Sequence, residues 1–90
     1  MKRRTKTPEV VLGSLLRDIR KDVSMTQEEV AKKMGLPGGT IITRIETGQR
    51  PMRMAEFISF CQAVEQDPAE VLAEHMRDLK DFADELVPGR

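Results

Sequence analysis

The sequence predicts an all-α domain made of five helices. Two segments, Thr7-Pro8-Glu9 and Asp67-Pro68-Ala69-Glu70, each place a capping residue, a proline and an acid in the order typical of a helix start. Between them, apolar residues recur at steps of three and four, the spacing of one helix face. Ninety residues are enough for one domain, and the single cysteine excludes an intrachain disulfide and a multi-thiolate zinc site.

Residues 25–48 are predicted to form two short helices joined by a glycine-containing turn. Thr26 and Glu29 have the spacing of a capping box at the start of the first helix. Gly35 ends that helix, because glycine adopts a left-handed conformation without penalty. The second helix covers about residues 40–47. Two short helices packed across a tight turn are typical of a DNA-binding helix-turn-helix, in which the second helix reads the bases.

The zero net charge conceals a division between the two parts of the chain. Residues 1–53 hold twelve Lys/Arg and six Asp/Glu, whereas residues 54–90 hold three and nine. The basic part coincides with the predicted helix-turn-helix. DNA affinity depends on local basic surface, so this distribution favours DNA binding. The alternative is that these are ordinary solvated charges.

Three parts follow along the chain: a flexible basic arm at residues 1–6, a helix-turn-helix domain at residues 7–66, and a C-terminal helix within residues 67–90. The arm is expected to contact phosphates or a minor groove, or else to serve as a solubilising tail. Gly13 lies inside the predicted first helix and costs about 1 kcal/mol against alanine there. Its presence indicates that another backbone approaches closely.

Two stretches, LGSLLRDIRKDVSMTQEEVAKKMGL and TRIETGQRP, resemble the phage-repressor-like (Cro/XRE-type) helix-turn-helix transcriptional regulators. The matching features are the glycine and the arginine pair of helix 1, the Gln-Glu-Glu opening of helix 2 and the Arg-Ile-Glu-x-Gly end of helix 3. The resemblance extends from about Leu12 to Leu72. It implies a five-helix lambda-repressor-like DNA-binding domain, which this chain extends with a longer C-terminal helix.

The resemblance also implies roles for individual residues. Gln27 matches a glutamine that in the family commonly contacts a phosphate and braces the reading helix. Arg20 and Glu46 match positions that often form an ion pair between helices 1 and 3. The turn before the reading helix is one residue longer than the family pattern, and Gly39 stands where a base-contacting side chain is common.

Further DNA contacts are predicted from periodicity and charge. Ile42 and Ile45 would face inward, which leaves Arg44 outward as the best candidate for specificity, because its guanidinium can bond guanine O6 and N7 together. Arg44 could instead contact a phosphate or remain solvated. The other candidate base contacts are Thr40, Thr43 and Ile41, and Ile41 is expected to face outward because Ile42 and Ile45 face inward. The candidate backbone contacts after the helix are Gln49, Arg50 and Arg53.

The apolar positions after residue 53 predict two further helices. Helix 4, about Met54 to Glu65, is expected to bury the set Phe57, Ile58, Phe60 or Cys61, and Val64. Helix 5 is expected to run to about Leu86, with acids on its other faces and the apolar stripe Leu72, Met76 (or His75), Leu79, Phe82 or Ala83, and Leu86. The outer part of this stripe resembles a heptad seam and predicts pairing with a second copy. The alternative is that the helix folds back on its own domain. The predicted dimerisation residues are Met76, Leu79, Phe82 and Leu86.

Together these patterns predict a sequence-specific transcriptional regulator, a repressor that binds a palindromic operator in double-stranded DNA as a homodimer. An alternative from another class is an antitoxin or adaptor whose acidic C-terminal helix binds a partner protein such as a toxin. No nucleophile–base pair, metal cluster or phosphate loop is visible, so no enzymatic activity, metal or cofactor is expected. No segment of membrane-spanning length is present, and the expected location is the cytoplasm.

Overall fold

The computed structural model describes the backbone of residues 7–86 and the side chains of residues 7–83. This part of the chain contains five α-helices and no strand, which confirms the predicted fold class. The predicted basic arm, residues 1–6, lies outside the described residues. The helices are α1 (Pro8–Asp22), α2 (Gln27–Lys33), α3 (Thr40–Glu46), α4 (Met54–Ala63) and α5 (Pro68–Leu86).

Three helices begin at the capping residues that the sequence indicates. Thr7 Oγ1 accepts a hydrogen bond at 3.2 Å from the backbone three residues on. Thr26 Oγ1 accepts from Glu29 N at 3.0 Å, while Glu29 Oε1 accepts from Thr26 N at 2.8 Å. Asp67 Oδ1 accepts at 3.0 Å from the backbone N–H two residues on. Each contact satisfies an N–H that the helix itself leaves without a partner.

The core lies where the inward faces of all five helices meet. Its fully buried side chains include Leu16 of α1, Val30 of α2, Ile42 of α3, and Phe60 and Cys61 of α4. α1 packs against both α3 and α5, and α2 packs against α3. The helix-turn-helix is therefore supported from behind by the first helix.

Cys61 is a core residue, as its place in the apolar pattern of helix 4 predicts. Its side chain has no solvent exposure. Burial, with a smaller contribution from the negative charge of Asp67, raises the pKa of its thiol to about 11. Because the thiolate is the reactive form, this thiol is inert at neutral pH.

Gly13 marks the closest approach of α1 to α3. A Cβ added at this position would lie 2.5 Å from Glu46 O and 2.7 Å from Glu46 C, and would also collide with Ile45 O. These are backbone atoms that cannot move aside without shifting the helix. The prediction that another backbone approaches Gly13 is confirmed.

α4 differs from its predicted form in length and in one buried position. The helix ends at Ala63 rather than near Glu65, and Glu65 itself adopts a left-handed conformation with φ of 59°. Ile58 is 40% exposed, so the expectation that it is buried is wrong. The core side of α4 is already filled by Phe57, Phe60 and Cys61, and Ile58 lies outside that arc.

α5 packs on the core through a different stripe from the one predicted. Val71 is buried, with 4% exposure, whereas Leu72 is 38% and Met76 62% exposed. A shift of one residue turns a helical position by about 100°, so α5 carries two neighbouring apolar stripes. The inner stripe, which includes Val71, covers the core, and the stripe that includes Leu72 and Met76 faces outward.

Candidate nucleic-acid interface

α3 presents a polar face outward and an apolar face inward. Ile42 and Ile45 are buried at 1% and 3% exposure, whereas Thr40, Thr43 and Arg44 are exposed. No ion pair in the described part of the chain involves Arg44, so its guanidinium extends from the middle of this face uncompensated. The helix thus offers a short polar strip with one positive charge.

Ile41 departs from its predicted orientation. It is half-buried and packs against the hydrophobic core. α3 is only seven residues long and lies closely on α2, so the side chain at its second position is partly covered. Its remaining exposed surface is the part available to an apolar contact such as a thymine methyl.

A buried ion pair fixes the C-terminal end of α3 to α1. Arg20 Nε donates to Glu46 Oε2 at 2.6 Å, and Arg20 Nη2 donates to Glu46 Oε1 at 3.0 Å. The two side chains are 9% and 2% exposed. Arg20 Nη1 also donates to Met25 O at 2.8 Å. One guanidinium therefore connects α1, the approach to α2 and the end of α3.

Gln27 extends this ion pair to the outer face of α3. Its Nε2 donates to Glu46 Oε1 at 2.9 Å. Its Oε1 accepts from Thr43 Oγ1 at 2.6 Å. The side chain at the start of α2 therefore bridges the buried carboxylate and an exposed threonine. Nothing in the sequence singles out Thr43 as the partner of Gln27, because the two residues are 16 positions apart and no local pattern connects them.

The N-terminal end of α3 lies directly against the first turn of α2. Gly39 is buried, and its N–H donates to Glu28 Oε2 at 3.3 Å. A Cβ at this position would lie 2.9 Å from Glu28 Oε2 and 3.3 Å from Glu28 N. Glycine therefore permits the two helices to approach, and this position faces α2.

A second ion pair holds the loop that follows α3. Arg50 Nη1 and Nη2 donate to the two carboxylate oxygens of Glu56 at 3.0 and 2.8 Å, and Arg53 N donates to Glu56 Oε1 at 2.9 Å. The hydrogen bonds from Arg50 and then from the Arg53 backbone lower the pKa of Glu56 to about 2. Of the three residues predicted to contact the DNA backbone, Arg50 is thus engaged by a carboxylate, while Gln49 and Arg53 are exposed.

A basic groove borders α3 on the side of α1. Its walls include Arg17 and Lys21 of α1, Gln27 of α2 and Thr47 at the end of α3. Arg17 and Lys21 are both exposed and lie one helical turn apart. The apolar period of α1 places both residues on its polar side. Their spacing of four residues shows that they share a face, but only the packing of α1 on α3 shows which surface that face adjoins.

The predicted dimerisation residues do not share one environment. Met76 is exposed, and Leu79 is half-buried. Phe82 is half-buried and lines a groove between α1 and α5 together with Val11 and Leu15. The side chain of Leu86 lies outside the described residues. Phe82 therefore belongs to the inner stripe, and Met76 belongs to the outer one.

Two further properties bear on chemistry and location. Among the side chains of residues 7–83, no group of three or more His, Cys, Asp and Glu is arranged to hold a metal ion. None of the described helices combines the length and the apolar character needed to cross a bilayer.

This architecture defines a helix-turn-helix DNA-binding domain: α2 and α3 are packed across a tight turn, α1 lies behind them, and α3 has an exposed polar face. A model of the family described as "Helix-turn-helix domain" matches residues 11–74. The chain belongs to this helix-turn-helix family and is a DNA-binding regulator of the XRE type. The family consists of transcriptional regulators, which as a class are not enzymes.

Solved structures of three regulators resemble the chain. The clp gene regulator ClgR from Corynebacterium glutamicum is 25% identical, with a TM-score of 0.72 over 80% of this chain and 92% of that one. The restriction-modification controller protein C.AhdI from Aeromonas hydrophila is 27% identical, with a TM-score of 0.66 over 70% and 90%. An XRE-family like protein from Pseudomonas syringae is 27% identical, with a TM-score of 0.70 over 78% and 84%. No curated protein sequence matches the chain significantly.

Proposed function

We propose that the protein is a transcriptional repressor that binds a palindromic operator as a homodimer, with α3 of each subunit in a major groove. The observation that carries this proposal is the outward face of α3, where Thr40, Thr43 and Arg44 are exposed on a helix fixed from behind. Two such helices related by a two-fold axis would meet half-sites about 34 Å apart, one turn of DNA. Bound at an operator that overlaps a promoter, such a dimer would exclude other proteins from that DNA.

Arg44 is the proposed specificity residue. Its guanidinium is exposed, and no ion pair among residues 7–83 competes for it. Two parallel hydrogen bonds to guanine O6 and N7 discriminate against other bases by about 1–3 kcal/mol. Thr40 and the exposed part of Ile41 would lie beside it and contact neighbouring base edges.

Backbone contacts would come from both sides of α3. On one side, Gln49 and Arg53 follow the helix, and Arg50 orders their loop through Glu56. On the other side, the basic groove places Arg17 and Lys21 near the same surface. We propose that these side chains neutralise phosphates and set the register of α3, a role that carries no base preference. The second N–H of Gln27 Nε2, which Glu46 does not use, is available to a phosphate as well.

The outer stripe of α5 is the proposed dimer interface. Leu72 and Met76 are large apolar residues, 38% and 62% exposed, one turn apart on one face. Leu79 continues this face, and two further large apolar residues, Met54 and Ile58 of α4, are 60% and 40% exposed. Burying such surface against a second copy gives about 25 cal/mol for each Å² of apolar area. The competing proposal is that the same stripe, beside the acids of α5, binds a partner protein.

A DNA-selection experiment with the purified chain at several salt concentrations tests the readout. We expect a palindromic site to be enriched, and we expect Arg44→Ala to lose preference at one position of each half-site. Arg77→Ala is the matched control, because Arg77 is an exposed arginine of α5 and is not among the residues proposed to contact DNA. Equal weak binding to all sequences that disappears near physiological salt would contradict the proposal.

Sedimentation equilibrium tests the dimer. We expect Met76→Asp to shift the chain from dimer to monomer, since it places a charge in the apolar stripe. Ala73→Asp adds the same charge at an exposed position on another face of α5 and should leave the dimer intact. A wild-type chain that stays monomeric at high concentration would contradict the proposed dimer. It would favour the competing proposal that the stripe binds a different protein.

A further inference from the structure

Thr43 has a hydroxyl whose only proton is already committed inside the protein. Thr43 Oγ1 donates to Gln27 Oε1 at 2.6 Å, and the second atom within reach, Gly39 O at 3.2 Å, is also an acceptor. A hydroxyl has one donor and two acceptor positions. With its proton directed toward α2, the outward side of this oxygen carries only lone pairs.

The orientation of the Gln27 amide is fixed by the buried ion pair. Gln27 Nε2 faces Glu46 Oε1 at 2.9 Å. Arg20 donates to both carboxylate oxygens of Glu46, so Glu46 Oε1 faces Gln27 as an acceptor. A reversed amide would place Gln27 Oε1 against that carboxylate, oxygen to oxygen. The amide oxygen is therefore held toward Thr43, and the Thr43 proton follows it.

We propose that Thr43 acts as an acceptor-only reader of the major groove and selects a base that carries an exocyclic amino group, adenine or cytosine. This inference rests on the proposed placement of α3 in the groove. Adenine N6 and cytosine N4 are the donors on the major-groove edges, whereas guanine O6 and N7 and thymine O4 are acceptors. Opposite guanine or thymine, the Thr43 oxygen would meet another acceptor, and two acceptors repel.

Gln27 is then a positioning residue for specificity as well as a structural one. Its amide nitrogen donates to Glu46, which turns its amide oxygen toward Thr43. That oxygen then accepts the Thr43 proton. An amide is suited to this position, since it has a donor at one end and an acceptor at the other. Removing the amide would release the Thr43 hydroxyl to rotate and to donate.

The test measures base preference in the DNA-selection experiment and affinity on the selected site. Thr43→Val keeps the branched shape and removes the oxygen. We expect it to lose an adenine or cytosine preference at one position of each half-site, with about fivefold weaker binding to the selected DNA, the factor for one hydrogen bond. We expect Gln27→Leu to admit guanine or thymine at that same position. Gln62→Leu is the control: Gln62 is an exposed glutamine of α4, outside this chain of hydrogen bonds, and the variant's base preference should be unchanged.

DNA with a deleted amino group provides an independent measurement. Purine replaces the selected adenine, or pyrimidin-2-one the selected cytosine. We expect about fivefold weaker binding by the wild-type chain and no further loss in Thr43→Val. If wild type selects a site but Thr43→Val keeps every preference, or if both proteins lose affinity equally on the modified DNA, the assignment of Thr43 is wrong and the proposed function stands. If wild type selects no sequence, both proposals fail.

Discussion

Two arginine–glutamate pairs lie close together in the chain, one at the end of α3 and one in the loop that follows it. They differ chiefly in burial. The inner pair, Arg20 and Glu46, is 9% and 2% exposed at its side chains. The outer pair, Arg50 and Glu56, is 29% and 20% exposed. Both use two guanidinium nitrogens and both carboxylate oxygens. The chemistry is the same, so the contrast isolates the effect of the surroundings.

The two pairs serve different purposes although their contacts are similar. The inner pair is continued by Gln27 and Thr43 toward the outer face of α3. The outer pair ends in the first turn of α4, where Glu56 also accepts from the backbone of Arg53. Removing one partner of a buried pair leaves an uncompensated charge in the interior, whereas water solvates the survivor of an exposed pair. The two pairs should therefore respond to mutation, pH and salt on different scales.

The largest expected effect comes from breaking the inner pair. We expect Glu46→Ala to lower the free energy of unfolding by about 3–5 kcal/mol, because Arg20 is left charged and buried. Urea denaturation followed by circular dichroism measures the change. The double variant Arg20→Met/Glu46→Leu is the control, and it should be more stable than Glu46→Ala because neither charge remains. If Glu46→Ala lowers the free energy of unfolding by less than about 1 kcal/mol, this pair behaves like a solvent-exposed ion pair and the prediction is wrong.

Gly13→Ala should disturb the inner pair without removing the side chain of either partner. The added Cβ would lie 2.5 Å from Glu46 O, so α1 and α3 must separate. We expect a net loss of about 1–3 kcal/mol, the cost of overpacking reduced by the better helix propensity of alanine. Ser14→Ala is a matched control, because Ser14 is an exposed neighbour in the same helix. Equal stability of the two variants would show that α3 can move away at little cost.

Breaking the outer pair should cost much less and should depend on pH. We expect Glu56→Gln to lose about 0.5–1 kcal/mol at neutral pH, near the upper end for a solvent-accessible pair. The folded pKa of Glu56 is about 2 against an ordinary 4.5, so its contribution is complete above pH 4.5 and is lost as the pH falls through 2. Thermal unfolding of wild type and variant at pH 7 and pH 3 should show the difference shrinking in acid. A difference that grows in acid contradicts this assignment.

Added salt should change the measured stabilities least, and it should affect the two ion pairs differently. At about 1 M salt the screening length is about 3 Å, so the stability difference between wild type and Glu56→Gln should become unmeasurable. The difference between wild type and Glu46→Ala should persist, because ions do not enter the interior. Chemical denaturation by urea, which is uncharged, keeps the salt concentration constant during each measurement. Equal salt responses would mean that solvent reaches both pairs.

The sequence specified the helices better than it specified their faces. Caps such as Thr26 with Glu29 are local, and the hydrogen bonds that they form join residues close in sequence. Faces depend on packing: in α5, a one-residue shift separates the buried Val71 from the exposed Leu72. Both residues are apolar, so hydropathy alone does not decide between them. The structure of the neighbouring helices decides.

At the interface, the sequence predicts the features that depend on local periodicity. The exposed positions of Thr40, Thr43 and Arg44 follow from the period of α3, which is a local property. The engagement of Arg50 by Glu56 and of Thr43 by Gln27 depends on how separate segments meet. Charge and residue type predict which interactions a side chain can form. They do not show which neighbouring residue it is already hydrogen-bonded to.

The sealed thiol of Cys61 has a practical consequence for spectroscopy. It is the chain's single cysteine, it has no exposure, and its pKa is raised to about 11. A maleimide or a nitroxide reagent would therefore leave it unmodified in the folded protein. One cysteine introduced at an exposed site such as Ala73 would carry the only label, with the native sequence otherwise intact. Distances between two such labels would then report directly on how two subunits are arranged, with and without DNA.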